Sequence, residues 1–127
     1  MTVAVHETLT EVDRVTSATL DVYARRHDAA AEMPLAELLD VPKAVGSLRA
    51  VVAKSDRTIE VVVDEGVDNA ALAAGLWALA GDGWRAVLLV ALDRIGQAHV
   101  ELRGTPCRLQ AWWLAGDEVV FGGFEAP

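Results

Sequence analysis

The chain has 127 residues, enough for one domain around a single core and little more. Hydrophobic residues make up 53% of it, which offsets the entropy of folding and excludes global disorder. Eleven Lys and Arg stand against nineteen Asp and Glu; the resulting −8 repels nucleic-acid phosphates and anionic membranes, so neither is expected as a partner. Cys107 is the only cysteine, which excludes an intrachain disulfide and fits a reducing compartment. The first seven residues carry no basic region and no long apolar run, and no apolar stretch approaches the ~20 residues of a bilayer span. A cytoplasmic location is expected.

In chain order, Leu9, Val12, Thr16, Leu20, Tyr23, His27 and Ala31 recur at steps of three and four. That spacing predicts an N-terminal helix over about 7–32, capped by Thr8 or Thr10 and stopped before Pro34. Residues 35–40 suggest a helical turn. The stretch from Pro42 to Ala53 reads either as a second helix or as a strand from Leu48, turning at Lys54–Arg57 into the next strand. Ile59, Val61 and Val63 alternate with Glu60 and Val62, which predicts a strand over 58–63.

Asp68 or Asn69 then caps a helix over 69–80 that carries no charge from Ala70 to Ala80. Leu72, Leu76 and Leu79 form its inner stripe, and Trp77 points elsewhere. A helix apolar all round needs cover on two sides, from the sheet and from the first helix or a second chain. After the Gly81–Gly83 connection, residues 86–92 are apolar without a break, the pattern of a strand over 85–92 buried on both faces. Strand, helix and strand have the spacing of a parallel βαβ unit.

Segment 93–104 is two-valued. Residues 97–103 alternate as a strand would, whereas Leu92, Ile95, His99 and Leu102 fit a helical stripe with Asp93 as cap and Gly104 and Pro106 as stops. The end signals favour helix. Residues 107–124 read as a β-hairpin turning at Ala115–Asp117. The predicted whole is a single α+β domain over 1–127: a long N-terminal helix, a mixed sheet containing the βαβ unit, and a C-terminal hairpin.

Chemical motifs are sparse. His6, His27 and His99 share no ligand spacing with one another or with Cys107, so no metal is expected. The turn 64–69 carries one glycine and three acids where a phosphate would sit, and no Walker lysine follows, so no nucleotide cofactor is expected either. Arg103 and Arg108 flank Cys107, with Asp93 and His99 nearby, but nothing fixes a nucleophile against a base, and no catalytic residue is assigned. Residues 35–57 have the cadence of a helix-turn-helix, with Lys43, Arg49, Lys54 and Arg57 as its basic groups; a short second step and Gly46 count against it.

Trp112 and Trp113 are adjacent, so on a strand they face opposite ways and one needs cover beyond the core. The expected function is therefore a non-catalytic binding, adaptor or accessory protein that self-associates, as a homodimer, or docks on a protein partner. Trp77, Leu76, Trp112, Trp113 and Phe121 are its candidate interface residues. The alternative is a small-molecule-binding protein or cofactor-less enzyme with a pocket near His99, Arg103, Cys107 and Trp112; a transcription regulator acting through 35–57 is third.

Overall fold

The computed structural model describes residues 10–38 and 40–127. Thr8 and Leu9 of the predicted first helix, and His6 before it, lie outside the described residues. Helix α1 runs over Glu11–Arg25. Thr10 caps it: its Oγ1 accepts from Asp13 N at 3.1 Å, and Asp13 Oδ2 accepts from Thr10 N at 3.3 Å. The helix ends earlier than the periodicity predicts. His27 takes a left-handed φ of 59°, and Ala31–Pro34 leave the helix as a short strand, β1.

A single turn of helix, α2 (Leu35–Leu38), and a 3-10 turn (Lys43–Val45) lead into β2 (Arg49–Ala53). The strand reading of 48–53 is the one observed. A second 3-10 turn (Lys54–Asp56) and Arg57, at φ 50°, turn the chain into β3 (Thr58–Val62). Among the described residues, segment 35–57 thus holds no second α-helix to serve as a recognition helix. Then follow α3 (Asn69–Gly81), β4 (Arg85–Ala91), α4 (Ile95–Glu101), β5 (Arg108–Ala115) and β6 (Glu118–Glu125). Asp68 caps α3 by accepting from Ala70 N and Ala71 N, both at 3.1 Å.

The six strands form one sheet in sequential order, β1-β2-β3-β4-β5-β6. The β3–β4 and β4–β5 pairs are parallel and the other three antiparallel. This is the predicted α+β class: N-terminal helix, mixed sheet with a βαβ unit, C-terminal hairpin. Segment 93–104 is helical, and it supplies a second βαβ crossover. Its inward stripe is Ile95, Ala98 and Leu102; Leu92 is half exposed in a 3-10 turn (Leu92–Arg94) that precedes α4, and Asp93 caps nothing. Gly104, at φ 78°, closes the segment.

The two faces of the sheet are covered unequally. On one, α2, α3 and α4 pack over Ile59, Val61, Leu88, Val90 and Leu109, with Leu72, Leu76 and Leu79 of α3 fully buried. On the other, among the described residues, lies α1 alone. Six strands span roughly 24 Å at the usual spacing, while one helix is about 10–12 Å across. α1 by itself therefore leaves part of that face uncovered. α1 runs from Trp112, Val62 and Leu89, where Val12 and Val15 pack, to Val51 and Ala53, where Tyr23 packs. The buried side of α1 includes Thr16 and Thr19, whose hydroxyls donate to Val12 O and Val15 O one turn back, so they enter the interface without orphaned donors. Among the described residues no helix is long and apolar enough to cross a membrane.

Candidate functional site

The uncovered part of the α1 face is a cleft of about 740 Å³. Its floor follows from alternation along the three strands that are parallel to one another. On this face β3 presents Thr58, Glu60 and then Val62; β4 presents Arg85, then Val87 and Leu89; β5 presents Arg108, Gln110 and then Trp112. Each strand starts polar and becomes apolar. The apolar halves lie under α1, and the polar halves lie side by side as the cleft floor.

One wall is the C-terminal half of α1, with Thr19, Val22 and Tyr23, and Arg26 just beyond its end. The opposite wall is β6, with Phe121 and Phe124. Those two phenylalanines are three residues apart and would face opposite sides of a regular strand. A bulge corrects this: Trp112 pairs with Phe121 and Gln110 with Phe124, so β6 spends one extra residue at Gly122–Gly123 and both rings face the cleft. Gln110 Nε2 donates to Gly122 O at 2.9 Å across the bulge. The rim is the α3–β4 turn. Gly83 takes φ 83° there, and the Arg57 guanidinium donates to Gly83 O and Asp82 O while stacking on Trp84 at 4.7 Å.

Three guanidiniums, of Arg26, Arg85 and Arg108, line this cleft in a chain of net charge −8. Arg85 donates to Asp56 O at 3.2 Å, and Arg26 lies over the Tyr23 ring at 6.0 Å. Among the described residues Arg108 makes no ion pair or side-chain hydrogen bond. Facing them are Asp56 and Glu60. Burial holds the Glu60 carboxyl above the usual range, against the opposing pull of the Tyr23 hydroxyl and the Arg26 charge. Burial, with Glu60 beside it, likewise keeps the Tyr23 phenol protonated well beyond its ordinary range. The pair is a neutral hydroxyl donor beside a carboxylate whose proton affinity burial has raised.

The four ligand candidates of the sequence do not converge. Cys107 lines the cleft, half-buried, with its thiol pushed up by burial and its Sγ 3.3 Å from Thr105 Oγ1. Trp112 is 4% exposed beneath the start of α1, far along the strand from Arg108, and its Nε1 has no hydrogen-bond partner among the described residues. His99 sits on α4, its Nε2 2.6 Å from Glu125 Oε1. Arg103 is exposed in the turn after α4. Of the interface candidates, Leu76 is fully buried in the core, Trp113 is half-buried, Phe121 is a cleft wall and Trp77 is 59% exposed on α3. No group of three or more His, Cys, Asp and Glu side chains is placed to hold a metal among the described residues.

Sequence reasoning passed over Tyr23, Glu60, Arg85, Gln110 and Phe124. The available signal was a polar residue at the start of each of three strands that otherwise read as core. Comparisons with family models, curated proteins and solved structures gave no match, so the geometry of this cleft carries the functional reading alone.

Proposed function

We propose that the protein is a non-catalytic small-molecule-binding protein whose ligand occupies the cleft between α1 and β6. The observation that carries this reading is the cleft itself. It falls in the size range of ligand sites, has aromatic walls, and gathers polar groups on its floor where a core would normally be closed. The test is a thermal-shift survey of small molecules with two follow-ups on each hit. A ligand at a hundred times its Kd stabilises the fold by about 2.7 kcal/mol. True occupants also slow alkylation of Cys107, which lines the cleft, and lose their effect in Val22→Trp, which fills it. Hits that leave Cys107 reactivity unchanged and survive Val22→Trp place the ligand elsewhere and overturn the reading.

A second reading, self-association, is favoured by α3. Its outward residues Ala70, Ala74, Trp77 and Ala78 are exposed and uncharged. The occupant that suits this face is a second copy of the chain. Two such faces meet without bringing together the like charges that two chains of −8 carry elsewhere.

A further inference from the structure

We propose that the ligand of this cleft is a flat, apolar small molecule bearing a single negative charge, a carboxylate or sulfonate, held by Arg108 while Phe121 and Phe124 pack on its body. The inference rests on the cleft reading above and adds the chemical class.

Charge sets the sign. Three guanidiniums face two carboxylates, which leaves one positive charge to be met. A cationic ligand would meet the guanidiniums unfavourably. A polyanion such as a nucleoside triphosphate would crowd its surplus charge against Asp56 and Glu60. A monoanion balances the site.

Commitment of the side chains sets the place. Arg85 is engaged by the Asp56 carbonyl and Arg26 leans on Tyr23, whereas Arg108 is exposed at the start of β5 and unengaged among the described residues. A guanidinium offers a planar fork that a carboxylate or sulfonate can accept from in two places. Shape sets the body. The β6 bulge turns two phenylalanine rings into the same wall, and Phe124 stays 57% exposed, an apolar area that a flat ring system would cover. Val22 and Val87 lie across from it. Glu60 and Tyr23 remain at the inner end for a hydroxyl or amine on the ligand.

The test uses two fluorescent probes of one skeleton, 1-anilinonaphthalene-8-sulfonate and the uncharged N-phenyl-1-naphthylamine, titrated into the full chain. The sulfonate is expected to bind one per chain and more tightly than its neutral counterpart. Arg108→Gln is expected to weaken the sulfonate by about tenfold or more, the size of a lost charged hydrogen bond, and the neutral probe by less than about twofold. Phe124→Ala weakens both. Lys43→Gln, which removes the same charge from the α3 side of the sheet, changes neither. Circular dichroism confirms that each variant is folded. Equal affinity of the two probes, or a sulfonate affinity untouched by Arg108→Gln, overturns the monoanion assignment and leaves the cleft reading standing. Absence of binding by either probe, or binding indifferent to Phe124→Ala, overturns the cleft reading itself.

Discussion

Glu60 occupies the middle of β3 between two fully buried neighbours, Ile59 and Val61, yet faces the cleft rather than the core. Its burial favours the protonated carboxyl, so the folded state binds that proton more tightly than the unfolded chain does. The sign follows. Stability from this group is fully present below the ordinary glutamate range and is lost as pH rises through the raised native value. Glu60→Gln removes the charge and keeps an acceptor for the Tyr23 hydroxyl. The variant is therefore expected to melt higher than the wild type at pH 7, with the gap closing toward pH 4. Melting curves across that range check it; a variant that melts lower at pH 7 shows instead that Arg26 holds the carboxylate. Such residues were hard to read from sequence because a lone glutamate in an alternating strand looks like an ordinary solvent-facing position.

Elements were legible where local chemistry was unambiguous. The uninterrupted run of β4, the Asp68 cap of α3 and the glycine-rich connection between them determined the βαβ unit almost residue by residue. The close of α4 was legible from Gly104. Two features were not. The strand β1 hides behind a helical periodicity, because Ala31, Glu32 and Met33 are good helix formers and only the pairing with β2 recruits them to the sheet edge, where Pro34 needs no ladder donor. The β6 bulge hides because register is set by the partner strand rather than by the segment itself. The same distinction between local pattern and tertiary position gives a paired prediction on two apolar residues. Leu89, in mid-β4, is fully buried between β3 and β5 under α1. Leu89→Asp strands an unpaired carboxylate there at a cost of several kcal/mol, comparable to the whole stability of a domain this size, and abolishes soluble expression. Val100, on α4, is 66% exposed. Val100→Asp is expected to shift stability by no more than about 0.5 kcal/mol. Expression trials and denaturant titrations separate the two, and soluble, wild-type-like Leu89→Asp removes β4 from the centre of the sheet.

At the scale of the molecule, an uneven allocation of helices explains both candidate surfaces. Among the described residues three helices crowd one face of the sheet and one helix lies on the other, so the α1 face has a cleft where their cover runs out, and the outer side of α3 has none of them above it. The uncharged run from Ala70 to Ala80 is the pointer in the sequence to a helix in need of cover on two sides, and Trp77, 59% exposed, is its largest exposed side chain. Closing two α3 faces against each other about a two-fold axis hides both copies of Trp77, while the floor of the cleft (Glu60, Arg108 and Gln110) lies on the opposite side of the sheet and only its rim reaches the end of α3 at Ala80. The sedimentation-equilibrium mass is then expected to be twice 13.5 kDa at tens of micromolar. Trp77→Glu is expected to return it to 13.5 kDa by placing two charges in the contact, with the monomer's fold intact because residue 77 faces away from the sheet. A wild type that sediments at the single-chain mass removes self-association and leaves the cleft as the one surface of the two with a function assigned. If instead the variant dissociates and still binds the aromatic sulfonate with unchanged affinity, the two surfaces work independently, although the rim of the cleft touches the end of α3 at Ala80.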